Sequence, residues 1–330
     1  MDNDSKLRPL YLAKILYEQT DEEHYLTTVQ LINMLEEKYG IKAHRQTIKS
    51  EIELLRKFGM EIEEVKSVQN RYNICSRDFE NSELKLLIDA VESAKFITAG
   101  KSKELVAKLS SLAGDCGAEK LKRNVCCEGR IKSGNERIYI VVDAINEAIN
   151  SGKKISFPYF QYNINKQQEL KHNGESYVLS PLHLVWNGDF YYIVGVAEDN
   201  TLRNFRVDRI AKCPKILEED SLQAPEDFDI DYYINTTFRM FNAEHTDVEL
   251  LCDNDVIDSI IDRFGTDIEI TAAATENFKI TVNVATSHIF YSWIFGFGGK
   301  VKILGPEKVK YEYIAMLDKA NISANNYFNR

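Results

Sequence analysis

Residues 177–210 read YVLSPLHLVWNGDFYYIVGVAEDNTLRNFRVDRI, three apolar runs separated by turn residues. The first run, 177–186, meets Asn187-Gly188, the pair most favoured in a type I′ hairpin, and an aromatic run follows at 190–196. A loop then leads to a third run from Arg203 to Ile210, so the stretch is predicted to be a β-meander. Alternation puts Leu182, Leu184 and Trp186 on one face of the first arm. On the return arm Phe190, Tyr192 and Val194 share a face, and Tyr191 and Ile193 take the other. Arg203, Arg206 and Arg209 interrupt the third run. Guanidinium groups on an apolar strand are costly to place unless they meet water, carboxylates or an anionic ligand.

The same stretch resembles the WYL domains. Phe190-Tyr191-Tyr192 stands where that family carries Trp-Tyr-Leu, and only the tyrosine is kept. The flanks, Ser180-Pro181-Leu182 and Arg203-Asn204-Phe205-Arg206-Val207-Asp208-Arg209-Ile210, match the family pattern more closely. The resemblance implies a small Sm-like β-barrel over 151–217 that acts as the ligand-sensing module of a bacterial transcription regulator.

Just before the meander, KISFPYF (154–160) puts Ile155, Phe157 and Tyr159 on one face, and Pro158 marks an edge or bulge because it cannot donate to a ladder. After the meander comes an acidic, aromatic spacer, taken as a linker over 218–245. The pattern from 246 to 330 then runs strand, helix, strand, strand, helix, strand, helix, a ferredoxin-like order with one extra helix. Within it, IIDRFG (260–265) and FYSWIFGFGGKVKILGPEKV (290–309) resemble the WCX extension that accompanies WYL domains. Gly296, Gly298 and Gly299 follow a helix and lack the Lys-Ser/Thr of a phosphate loop, so they read as a turn.

Towards the N-terminus, apolar residues recur at helical spacing over 6–19, 28–39 and 44–58, with Thr27 as an N-cap and Gly40 as a stop. Ile48, Ile52 and Leu55 form the inner stripe of the third helix. Strand-like runs at 60–65 and 71–75 follow, so 1–78 is expected to be a winged helix-turn-helix, in which the third helix enters the major groove and the wing touches backbone. Arg45, Gln46 and Lys49 carry the right chemistry for base edges and phosphates. Thr28, Lys42, His44 and Thr47 surround them, and Lys66 and Arg71 sit on the wing. The segment RQTIKSEIELLRKFGMEIE (45–63) also resembles the recognition helix and wing entry of many bacterial regulators, with Lys49-Ser50-Glu51 where Arg-Arg-Asp is usual. The bland alternative is a three-helix packing module with a solvated basic face. Residues 79–150 read as a helical linker, broken near Ala99-Gly100 and by a polar stretch at 114–135.

Composition limits the options. With 330 residues, two or three compact units are expected, giving an α+β chain overall. A net charge of −10 excludes a diffusely basic nucleic-acid coat, so any DNA-binding charge must be concentrated on one module. Cysteines at 75, 116, 126, 127, 213 and 252 form no CxxC pair and no zinc spacing, so reduced thiols, no metal and no cofactor are expected. No apolar run has the length of a membrane span, and MDNDSKLRPL is unlike a signal peptide, which predicts a cytoplasmic protein. No nucleophile elbow, Walker sequence or paired-carboxylate motif is present, so the chain is not expected to be an enzyme.

The functional expectation is a homodimeric, ligand-responsive regulator that binds a double-stranded operator. Its effector would be an anion, a nucleotide or short single-stranded nucleic acid, held by Arg203, Arg206 and Arg209 with Tyr159, Ser180, His183 and Tyr191 lining the same groove. Arg203 and Arg206 differ in parity, so sharing a site needs a bulge or bend between them. The expectation also requires that neighbouring acids do not consume these arginines, nor Arg45 and Lys49. Alternatives are barrel packing for the tyrosines and a plain same-face pair for Asp208 and Arg206. At the level of the whole chain they are a nucleotide-binding interaction module without DNA binding, or a nucleotide-processing enzyme.

Overall fold

Thr27 opens a helix by accepting from the Gln30 amide while the Gln30 side chain caps back, and Gly40 closes it in the left-handed region at φ 70°. Around this helix, α2 (Thr28–Tyr39), lie α1 (Asn3–Gln19), β1 (Leu26–Thr27) and α3 (Arg45–Phe58), followed by β2 (Ile62–Val65) and β3 (Arg71–Ile74). The computed structural model describes residues 3–66, 70–123, 132, 134, 137–241 and 243–328. The chain divides into two compact units, 1–136 and 137–330.

In the first unit Leu12, Ile15, Leu16, Leu31, Leu35, Ile48 and Ile52 are fully buried, with Tyr72 and Ile74 of β3 closing the core. Each such aliphatic side chain contributes about 1.5–3 kcal/mol on burial. The stripe on α3 therefore dictates which face of that helix stays outside. Leu7 and Leu10, which periodicity places inward, are exposed, and Leu12 takes the core position. The three strands are antiparallel in the order β1-β3-β2. The two-residue β1 is too short to be visible as a pattern. Ser67, Val68 and Gln69, the expected tip of the wing, lie outside the described residues.

Three helices follow: α4 (Asn81–Ser93), α5 (Ala99–Ser111) and α6 (Gly114–Arg123), the last falling in a stretch expected to be polar loop. Arg77 ties them to the head. Its guanidinium donates to the carbonyls of Tyr17 and Thr20 at 2.7 Å and of Leu112 at 3.1 Å, and lies 4.6 Å over the Tyr17 ring.

The second unit begins with α7 (Ile138–Ser151) and β4 (Lys153–Phe157), then β5 (Phe160–Tyr162), β6 (Gln168–Leu170), β7 (Tyr177–Asn187), β8 (Phe190–Ala197), β9 (Leu202–Arg206) and β10 (Lys215–Asp220). Five of these strands form an antiparallel sheet in the order β10-β4-β7-β8-β9. This corrects the barrel expectation: the sheet is open. Pro158 ends β4, and the chain after Arg206 turns into a 3₁₀ segment, Val207–Arg209, so the ladder stops before it can close. A single bridge, Tyr159 to Ile210, joins the two sides.

The hairpin also differs by one residue from its prediction. Asn187 pairs with Phe190, leaving Gly188 and Asp189 in the loop, with only Gly188 left-handed at φ 57°. That fits a II′ turn, whereas I′ needs positive φ at both positions. A bulge between Pro181 and His183 then resets the register. Gly195 faces it, where a Cβ would overlap the Ser180 carbonyl. Val185, Tyr192 and Val194 accordingly share a buried cluster, while Trp186 stays exposed.

The spacer packs onto that cluster through Phe228, Ile230, Tyr233, Ile234 and Met240, partly on α8 (Ile230–Thr236). The remaining elements are β11 (His245–Asp253), α9 (Ile257–Phe264), β12 (Ile270–Ala274), β13 (Asn277–Ala285), α10 (His288–Phe295), β14 (Val301–Gly305) and α11 (Glu307–Phe328). Their sheet has the antiparallel order β12-β13-β11-β14, so both strand-helix-strand connections skip one position. Among the described residues no helix is long and apolar enough to cross a membrane.

Candidate functional site

The outer face of α3 is cationic because its inner face is apolar. With Ile48, Ile52 and Leu55 turned in, Arg45, Gln46 and Lys49 are all exposed. Arg45 and Lys49 are one turn apart and share a face. Among the described residues neither has a carboxylate within ion-pair distance. His44 is the N-cap and makes no side-chain cap bond, so its ring is free of that duty. Thr47 is half-buried, and its carbonyl accepts from the Ser50 hydroxyl at 2.9 Å. Lys42 is exposed and lies 3.9 Å from Glu36. Lys66 is exposed just beyond β2. Arg71 opens β3 and stacks over Tyr25 at 4.9 Å, while the Thr28 amide donates to the Asn70 carbonyl at 3.2 Å, so α2 is joined to the hairpin where β3 begins.

One acid lies on the inner side of α3. Glu51 is buried and accepts from Arg8 Nε at 2.7 Å, and its second carboxylate oxygen has no partner among the described residues. Burial pushes its carboxyl above the ordinary range, more than the hydrogen bond and charge of Arg8 pull it down.

The second candidate is a cleft of about 550 Å³ in the second unit, within the usual size range of small-ligand pockets. Its cations are Arg206, Arg209 and Arg239, its aromatic walls Phe190, Tyr192 and Phe241, and its one lining acid Asp189. Of the expected effector residues, Tyr159, Arg206 and Arg209 line it. The parity conflict expected between Arg203 and Arg206 is not bridged, since Arg203 does not line the cleft; Arg206 meets Arg209 there because the chain turns into a 3₁₀ segment, Val207–Arg209, right after it.

The other expected residues are elsewhere. Arg203 is exposed and pairs with Asp199 at 2.6 Å. Ser180 is buried and accepts from the Leu222 amide at 2.9 Å, a structural duty. His183 is exposed, its ring 6.1 Å from Phe228. Tyr191 is half-buried opposite Trp186.

The condition that acids leave the central arginines free is not met for two of the three. Besides the Arg203 pair, Arg206 donates Nε and Nη2 to the two oxygens of Asp208 at 3.1 and 2.8 Å and lies 3.2 Å over the Phe190 ring. Its charge is balanced within the protein, as in the plain same-face pair weighed above. Arg209 and Arg239 have no carboxylate within ion-pair distance among the described residues. Tyr159 is buried and its hydroxyl accepts from the Arg206 amide at 3.1 Å; burial pushes its phenol up to about 12, so it stays neutral.

Arg239 and Phe241 escaped the sequence reading. Arg239 sits in a left-handed conformation at φ 48°, followed by Met240 at φ 57°. Consecutive left-handed residues without glycine are strained and mark a segment held in place by its surroundings. Buried Phe238 and Met240 supply that hold and turn Arg239 outward. The only signal in the sequence was an arginine between aromatic residues in an acidic spacer.

Comparison with known proteins fits this layout. The WYL domain model matches residues 140–213 and the WCX domain model residues 244–320. No curated protein matches the chain. Among solved structures, proteasome accessory factor B/C (PafBC) of Arthrobacter aurescens aligns at 16% identity and a TM-score of 0.31, covering 96% of this chain and 48% of that one. This chain thus spans about half the length of that protein. A CRISPR Cas-related protein aligns at 12% identity and a TM-score of 0.36, covering 99% and 84%. The cleft draws Tyr159, Arg206 and Arg209 from the first matched segment, Ile289 from the second, and Arg239 and Phe241 from between them. The chain carries a WYL domain at 140–213 followed by a WCX domain at 244–320.

Proposed function

We propose that this chain is a DNA-binding transcription regulator whose head is a winged helix-turn-helix and whose second unit senses an anionic effector. One observation carries the DNA-binding reading. Arg45, Gln46 and Lys49 stand together on the solvent face of α3, with no carboxylate within ion-pair distance of the two cations among the described residues, in a protein of net charge −10. Such a face suits the major groove: arginine pairs with guanine, glutamine with adenine and lysine with guanine or phosphate. Thr28, Lys42, His44, Thr47, Lys66 and Arg71 flank it as phosphate contacts.

Two copies would place two heads on half-sites about one helical turn apart. The effector reading rests on Arg209 and Arg239 with the aromatic walls of the cleft, a set that suits a nucleotide or a short single strand by phosphate pairing and stacking. By linkage, the effector changes DNA affinity only if it binds one dimer arrangement more tightly than the other. The C-terminal unit is proposed to be ferredoxin-like, on the strength of its element and strand order.

The test is fluorescence anisotropy with duplexes from the promoter next to the protein's own gene, over a salt series. Sequence-preferring, salt-sensitive binding is expected, weakened by Arg45→Ala and by Lys49→Ala. Unaltered binding in both variants sinks the placement of the reading helix. No binding at any salt leaves the interaction-module alternative.

A further inference from the structure

We propose that Asp21, His24 and Cys116 bind a zinc-like divalent transition-metal ion that links the turn after α1 to α6. Their spacing in the chain carries no metal signature, and only the fold brings them together. One ligand atom from each lies within 4.8 Å of the other two. Asp21 and Cys116 are half-buried and His24 is exposed, so an ion can enter from solvent.

The site is built before any ion arrives. Asp21 Oδ1 accepts from the Glu23 amide at 2.9 Å, the His24 amide at 2.8 Å and His24 Nδ1 at 2.7 Å, which fixes the turn and the ring. Independent contacts hold α6 against this turn. Gln19 hydrogen-bonds Asp115, and Lys120 pairs with Glu23 at 2.7 Å. The juxtaposition of the three side chains therefore does not depend on the metal.

The donor set selects the kind of ion. Thiolate, imidazole and carboxylate together suit zinc and its neighbours in the transition series, with solvent as fourth ligand, whereas magnesium and calcium demand oxygen. Carboxylates stand around the thiol, Asp21 facing it and Asp115 and Glu119 flanking it on α6, where Lys120 also sits. On binding, the Cys116 thiol gives its proton to solvent and ligates as thiolate, with no change of oxidation state. Three ligands from two segments would make the stiffness of the first unit depend on metal supply.

Cobalt(II) added to the full, reduced chain tests this, because a thiolate ligand gives a charge-transfer absorption that zinc removes on displacement. One equivalent per chain is expected. Cys116→Ser should abolish the absorption, and His24→Ala should weaken binding at least about tenfold, the loss seen even for outer-sphere partners of a metal. Cys213→Ser, at an exposed cysteine in the other unit, should change nothing. Zinc should raise the Tm of the native chain, and that of His24→Ala by less. The proposal is overturned if stoichiometric cobalt gives no thiolate band or if Cys116→Ser keeps it. Should Cys116→Ser fail to fold, His24→Ala decides, since its side chain is exposed: unchanged affinity there is equally fatal. DNA binding enters none of these readouts.

Discussion

Two groups of cations behave in opposite ways. On the outer face of α3, Arg45 and its neighbour Lys49 meet no acid among the described residues, while on the central sheet Arg203 and Arg206 are each matched by an aspartate two to four residues away. Both groups look alike as cations among apolar residues. The difference lies in what their elements must bury. A helix with one apolar stripe leaves a whole face to solvent, and charge there needs no partner. A strand buried on both faces, like β8, forces its neighbour's cations to the margins, where Asp199 and Asp208 stand ready. The two arginines of the cleft with no carboxylate within ion-pair distance among the described residues sit where the chain leaves the sheet, Arg209 in a 3₁₀ turn and Arg239 in a strained one.

The sharpest way to break this contrast is inside the head. Arg8→Ala strands the buried Glu51 carboxylate and should cost about 3 kcal/mol of stability, as loss of one partner of a buried pair does, measured by denaturant unfolding. Retained stability would mean that the inner ion pair carries little. The pH dependence has a definite sign. Glu51 has a raised folded pKa, so its contribution is present below the ordinary carboxylate range and is lost as pH rises through the raised value. Glu51→Gln should flatten that slope across mildly acidic pH, and an unchanged slope would place the titration elsewhere.

Next in size are the outer cations. Arg45→Ala or Lys49→Ala should each weaken operator binding by about 1–3 kcal/mol while leaving Tm unmoved. A fall in Tm would show that these residues have internal work after all. In the cleft, Arg239→Ala and Arg209→Ala should each reduce affinity for a nucleotide about tenfold by calorimetry, within the range of a charge-assisted hydrogen bond. Asp208→Asn, which releases Arg206 from its pair, should tighten binding instead. If Arg239→Ala has no effect, the cleft is not the sensor. Smallest of all, Arg203→Ala should alter neither nucleotide binding nor stability measurably, because its pair with Asp199 is open to water and salt.

Local features were the legible ones. Thr27, Gly40 and Gly59 punctuate the helices of the head, and the Ile48-Ile52-Leu55 stripe orients α3, because capping and periodicity act within a few residues. The meander was legible too, since Asn187-Gly188-Asp189 can only be a turn. Its register was not: whether Asn187 joins the loop or the ladder depends on how Phe190 packs across the sheet. The cleft was half visible. Tyr159, Arg206 and Arg209 belong to one recognisable segment, while Arg239 reaches them through a backbone strain that only the surrounding aromatic packing explains. The open sheet likewise follows from where β4 and β9 stop, which residue alternation does not reveal.

Arg77 sets a practical limit on dissecting the protein. Its guanidinium satisfies carbonyl oxygens at the end of α1 and at the end of α5, so the last turn of the first helix relies on a residue beyond the β2-β3 hairpin. A fragment cut at Ile74 to isolate the proposed DNA-reading head would leave the Tyr17 and Thr20 oxygens without their donor and expose the Tyr17 ring. The shortest piece expected to stand alone is one that runs to the end of α6, at Arg123.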